Sequence, residues 1–192
     1  MGLDYSYVIV INKQKKGNLL KYVNSYGKIQ GLDFGDCVII DFELDASIEE
    51  YLKTIIVSEE GWSLKTAFLN KKKFSDYFPN EKTGRVGCIY IKFEEIKGTE
   101  FLFVQFRAAT TSMSVLFQQS QNIKNWFINL SREIYSEVSF IDLEHNGFKF
   151  IYGNGEDVEY LIEVEKMQKS FVYSERVKQY INLFYPYSND EE

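Results

Sequence analysis

Apolar positions recur along this chain with two periods, and the switches between them mark out strands and helices. Residues 5–11 form a run of β-branched and aromatic side chains and read as a central strand. Leu19, Leu20, Tyr22, Val23 and Tyr26 then recur at spacings of three and four, which predicts a short amphipathic helix stopped at Gly27. Gly31 and Gly35 make residues 28–35 read as a loop. Over residues 37–44 the period returns to two. Val38, Ile40, Phe42 and Leu44 fall on one face, with Asp41 and Glu43 on the other.

Asp45 and Ser47 offer a helix cap, and Glu49 and Glu50 sit in the first turn, where the helix dipole favours anions. The helix is expected to run through Lys53. Residues 54–57 fit either element, and residues 62–69 read as a strand. Residues 71–85 are polar and basic and contain Pro79 and Gly84. They read as the longest loop and as a candidate boundary between two halves.

The second half opens on two strong strands, 86–94 and 100–107, joined by a hairpin loop. Thr111 or Ser112 is expected to cap the helical stretch that follows. There Val115, Leu116, Ile123, Trp126, Phe127, Leu130 and Ile134 keep helical spacing, with a break at 120–122. Residues 138–144 and 148–152 flank Asn146-Gly147, which predicts a two-residue hairpin turn. Residues 153–155 are a further turn, and 158–164 alternate as a strand. Ser174 caps a last helix carrying Val177, Tyr180, Ile181 and Phe184, and Pro186 ends it.

This order of elements implies an α+β fold, a mainly antiparallel sheet with helices packed on one face. It leaves room for two similar β-α-β-β halves, although no residue-level repeat supports a duplication. A single domain over residues 1–187 is expected, with a sub-division near 71–85 and a frayed acidic tail at 188–192.

Composition narrows the function classes. A hydrophobic fraction of 45% and an aromatic fraction of 17%, with 14 Tyr and 16 Phe, exclude a disordered polar chain. A net charge of -6 argues against nucleic acid as the partner, because phosphate neutralisation needs a basic footprint. The early apolar run at residues 7–11 is too short for a signal peptide, and no apolar stretch reaches membrane-spanning length. A soluble cytoplasmic protein without membrane association is expected. Met1-Gly2 with Ser6 formally matches the N-myristoylation pattern, but no adjoining basic patch supplies a second anchor. Cys37 and Cys88 lie in strand-like runs and read as small buried hydrophobes rather than a disulfide.

Candidate chemistry is sparse. No phosphate loop, dinucleotide-binding turn, nucleophile elbow, zinc motif or calcium loop is present, so no cofactor and no metal is expected. Asp41, Glu43 and Asp45 alternate on one strand face, a pattern able to bind a hard cation or split carboxylate pKa values. Asp142, Glu144 and His145, the single histidine, adjoin the Asn146-Gly147 turn. Arg107 before a helix start at Thr111 and Ser112 suggests an anion site built on free N–H groups.

Charge is also unevenly distributed. Residues 41–60 carry seven acids and one Lys, residues 142–165 the same, and residues 65–85 carry six bases and two acids. Acidic blocks of this kind can steer a partner with a basic surface. The leading expectation is therefore a non-catalytic protein-interaction domain, immunity- or regulator-like. Asp41, Glu43, Asp45, Glu49, Asp142, Glu144 and His145 are its candidate binding residues. A small-molecule-binding module with an aromatic-lined cleft is the alternative. An enzyme working through the same carboxylates is the third reading.

Overall fold

Strand β1 (Ser6–Asn12) supplies the centre of the sheet because both of its faces are apolar enough to be covered. The computed structural model describes residues 3–32, 35–60, 71–96, 98–153 and 155–162. Along them run β1, a 3₁₀ turn, α1 (Lys16–Tyr26), β2 (Gly27–Leu32), β3 (Gly35–Glu43) and α2 (Ala46–Glu60). There follow α3 (Lys71–Tyr77), β4 (Thr83–Glu95), β5 (Phe101–Arg107), α4 (Thr111–Gln119) and α5 (Gln121–Glu133). Strand β6 (Val138–Asp142), a 3₁₀ turn, β7 (Phe148–Gly153) and β8 (Glu156–Ile162) complete the order.

The eight strands form one sheet in the order β2-β3-β4-β5-β1-β6-β7-β8. Every neighbouring pair is antiparallel. The fold is α+β. Strand β1 lies between β5 and β6, so the two halves of the chain interleave in the sheet.

Every described helix buries its apolar side chains on one face of the sheet. Tyr7, Ile9 and Ile11 of β1 meet Val23 of α1, Leu52 of α2, Leu116 of α4 and Trp126 and Phe127 of α5 in one cluster. The Tyr7 ring stacks on Phe127 at 4.0 Å, and its hydroxyl donates to the Phe117 carbonyl at 2.9 Å. Ser120 ends α4 and caps α5, its side chain accepting from Ile123 N. The break expected at 120–122 is therefore a cap. Thr110, one residue before the expected position, caps α4 by accepting from Met113 N.

Five local expectations are corrected. Residues 27–32 are an edge strand, because β3 supplies a full antiparallel partner from Gly27↔Ile40 to Leu32↔Gly35. The helix after Asp45 runs past Lys53 to Glu60. Residues 71–85 hold α3 and the start of β4, which pairs Thr83 with Glu43. The β6–β7 connection is a five-residue loop, not a two-residue turn: Asp142 pairs with Phe148, and a 3₁₀ turn occupies Glu144–Asn146. Cys88 is exposed. The β3–β4 register shifts between Val38 and Ile40, and Cys88 stands there at φ 60, turned out of the strand alternation. Cys37 is buried as expected, and both cysteines are free. The strand expected at 62–69, the helix capped by Ser174 and the tail at 188–192 lie outside the described residues. Among the described residues no helix is long and apolar enough to cross a membrane.

Candidate functional site

A cleft of about 770 Å³ opens where β3, β4 and β5 meet the start of α4. Leu3, Asp4, Asp36, Tyr90, Ile91, Lys92, Gln105, Arg107 and residues 108–111 line it. The sheet register explains the gathering. Tyr90 pairs with Arg107 and Lys92 with Gln105, while Arg107 and Gln105 pair with Ser6 and Val8. Cross-strand partners share a face, so Tyr90, Lys92, Gln105 and Arg107 stand on the sheet face turned away from the described helices. Ile89, Ile91, Val104 and Phe106 alternate with them into the helix-covered core.

The polar groups of this cleft are held in place. The Arg107 guanidinium grips the Asp4 carboxylate with Nε and Nη2, the Nε contact at 2.6 Å. Lys92 Nζ pairs with Glu94 at 3.1 Å, and Gln105 Nε2 donates to Ser6 Oγ at 2.9 Å. Thr111 opens α4 and lines the cleft. Ser112 is its exposed neighbour and is not part of the wall. Two carboxylates, Asp4 and Asp36, and two cations, Lys92 and Arg107, line one concavity, although Asp36 pairs with Ile91 and so does not share the sheet face of Lys92 and Arg107.

A second cleft of about 560 Å³ lies between the end of α1 and β4, lined by Asn24, Tyr26, Lys28, Asp41, Thr83 and Arg85 among others. Asp41 is engaged there by Arg85, whose Nε and Nη2 reach its two oxygens at 2.7 and 2.8 Å. The hydrogen bond from this pair keeps the Arg85 guanidinium pKa above its ordinary value.

The remaining acidic candidates serve local structure. Asp45 Oδ1 accepts from Ile48 N at 2.9 Å and caps α2. Its Oδ2 accepts from Ser120 Oγ at 2.6 Å and Asn122 N at 3.1 Å, tying α2 to α5. Partial burial works to raise the Asp45 pKa, but the hydrogen bonds from Ser120, Ile48, Asn122 and Ser47 outweigh it, and the net shift is downward. Glu43 is exposed at the end of β3, and Glu49 pairs with Lys53 along α2. Asp142 is buried, and its carboxylate accepts from Glu144 N at 2.9 Å. Glu144 has φ 52 and starts the 3₁₀ turn that contains His145.

Strands β3 and β6 are four places apart in the sheet. At about 4.8 Å per strand, the Asp41 and Asp142 groups are roughly 19 Å apart across the sheet. The structure brings Arg107 and Thr111 together and leaves the two acidic groups separate. Among the described residues, no group of three His, Cys, Asp or Glu is placed to hold a metal ion.

Sequence reasoning did not single out Asp4, Asp36, Tyr90, Lys92 or Gln105. The available signal was polar alternation: Tyr90, Lys92 and Glu94 on one strand, and Gln105 and Arg107 on the next, each at period two. No family model, no curated protein and no solved structure matches this chain.

Proposed function

We propose that this chain is a non-catalytic binding domain whose larger cleft receives a small zwitterionic molecule, such as a free amino acid or a dipeptide. One observation carries this reading: Asp4, Asp36, Lys92 and Arg107 place two negative and two positive groups on the wall of one cleft. A lone anion must compete with Asp4 for Arg107. A ligand carrying both charges can meet partners of both signs. Leu3, Ile91, Ala108 and Ala109 add an apolar surface, and Tyr90 is the aromatic group in the wall.

The other two readings find less support in the geometry. An acidic docking face needs free carboxylates, whereas Asp41, Asp45, Glu49 and Asp142 are engaged within the fold. The carboxylate-enzyme reading rests on Asp41 with Glu43, or on Asp142 with Glu144 and His145, and of these only Asp41 lines either of the two clefts described.

A thermal-shift screen tests the proposal. Amino acids and dipeptides are expected to raise Tm in a concentration-dependent way, as any ligand specific for the native state must. Monocarboxylates, amines and inorganic phosphate are expected to do less. Arg107→Gln should abolish the shift and Arg85→Gln should leave it intact. A screen without a zwitterion hit, or a hit indifferent to Arg107→Gln, overturns the reading.

A further inference from the structure

The second cleft differs from the first in the chemistry of its wall. It holds about 560 Å³, ample for a small molecule, and among the described residues the two clefts have none in common. It lies at the β2 edge of the sheet. Lys28 pairs with Ile39, Asp41 with Arg85 and Glu43 with Thr83, so Ile39, Asp41, Thr83 and Arg85 stand on one sheet face. Phe42 and Gly84 alternate with them toward α2. Asn24, Ser25 and Tyr26, at the end of α1, form the other wall. Gly27 makes that wall possible. A Cβ there would lie 1.9 Å from the Ile39 carbonyl oxygen, so only glycine lets α1 turn this closely into β2.

Thr83 supplies the observation that points to a ligand. It lines the cleft, and its Oγ1 is buried without a hydrogen-bond partner among the described residues. A buried hydroxyl left unpaired is unfavourable, and a ligand group able to donate or accept would satisfy it. The charges around it disfavour an ion of either sign. An anion drawn to Lys28 and Arg85 meets the Asp41 carboxylate and the carbonyl end of α1, where the helix dipole is negative. No basic residue in the last turn of α1 offsets that end. A cation drawn to Asp41 meets Arg85, which already engages both carboxylate oxygens. What remains is hydrogen-bonding capacity of both kinds. Ser25 Oγ donates to the Tyr22 carbonyl and keeps lone pairs to accept. Asn80 accepts from Lys82 N through Oδ1 and keeps its amide N–H groups to donate. Arg85 and Asp41 likewise keep further N–H groups and lone pairs beyond their own pair. Tyr26, 45% exposed, and Ile39 add apolar surface.

We infer that this second cleft binds a neutral polyhydroxylated molecule, a mono- or disaccharide. Each sugar hydroxyl both donates and accepts, so one ligand meets the donors and the acceptors of the wall without breaking the Asp41–Arg85 pair. The C–H face of a sugar ring is apolar and suits the exposed Tyr26 ring. The inference rests on the residues of this cleft alone and stands whether or not the larger cleft takes a zwitterion.

Saturation-transfer difference NMR of the full chain tests it, with glucose, galactose, mannose, N-acetylglucosamine, maltose and lactose as probes. At least one is expected to give a saturable signal. Thr83→Val and Tyr26→Ala are each expected to weaken that sugar by about tenfold or more, while Glu50→Gln, on α2, leaves its affinity within about twofold. Thr83→Val removes an unpaired hydroxyl, so its urea midpoint should equal or exceed that of the wild type, which separates lost binding from lost folding. Absence of a signal from every sugar, or a signal that survives either variant, would overturn the inference. A phosphorylated or amino analogue of the bound sugar that binds more than about tenfold tighter than its neutral parent would overturn it too.

Discussion

Asp45 is the residue whose replacement tests the packing account most sharply. Its carboxylate caps α2 through Ile48 N and accepts from Ser120 Oγ and Asn122 N at the start of α5. Asp45→Ala removes the cap, worth about 1 kcal/mol. It also strips a charged acceptor from two donors, at about 1 kcal/mol each after allowing for partial exposure. The expected loss is about 3 kcal/mol, a fall in Tm of roughly 6–12 °C for a chain of this size. Asp45→Asn keeps an acceptor oxygen at the cap and should cost only about 1 kcal/mol.

The pH dependence has a definite sign. The folded pKa of Asp45 is lowered. Its ionic contribution is therefore complete above the unfolded value of about 3.9 and fades as pH falls through the folded value. Urea unfolding of the wild type and Asp45→Ala should show the same stability gap at pH 7 and pH 5, and a smaller gap near pH 3. A gap under about 0.5 kcal/mol at pH 7, or one that widens in acid, would refute the reasoning, since the bonds to a charged acceptor are its whole basis.

Three further substitutions have expected signs that differ. At Gly84 an added Cβ would lie 2.7 Å from Ile48 Cγ2 and 2.8 Å from side-chain atoms of Leu44 and Leu52. Gly84→Ala should therefore cost about 1–3 kcal/mol by overpacking α2 on β4, read by urea unfolding. At Gly17, in α1, an added Cβ meets nothing within 4 Å, so Gly17→Ala should stabilise the chain by about 0.5–1 kcal/mol in the same assay. Tyr7→Phe removes the hydroxyl that donates to the buried Phe117 carbonyl while keeping the ring on Phe127. It should cost about 1 kcal/mol and leave the near-ultraviolet circular dichroism of the aromatic cluster in place.

Elements with a strong private pattern were legible in the chain. Strand β1 and helix α5 announced themselves because each needs a full apolar face to reach the core, as Ile9 and Ile11 or Ile123, Trp126, Phe127 and Leu130 show. What escaped was structure conferred by a partner. Residues 27–32 have no alternation of their own and become a strand because β3 offers its free edge. Thr83, Gly84 and Arg85 are polar or small, yet pair with Glu43, Phe42 and Asp41. Asn146-Gly147 looked like a two-residue turn, but the Asp142 carboxylate binds Glu144 N and Glu144 adopts φ 52, which lengthens the loop.

The cleft divides along the same line. Arg107 and Thr111 are four residues apart and could be associated from the chain alone. Asp36, Tyr90 and Lys92 join them only through the registers of β3 on β4 and β4 on β5, which no local period specifies. The acidic blocks pointed the other way for a related reason. Clustering along the chain says nothing of the cations the fold delivers: Arg85 to Asp41, Lys149 and Lys124 to Glu159, Arg132 to Asp157.

The face bearing Arg107 is the proposed binding surface. A ¹⁵N-labelled sample titrated with the best zwitterion from the screen tests it most directly. Amide shift changes are expected to concentrate at Asp36, Tyr90, Ile91, Lys92, Gln105 and Arg107 through Thr111. Changes centred instead on Asp41, Thr83 and Arg85, or scattered along the acidic strand β8, would contradict it.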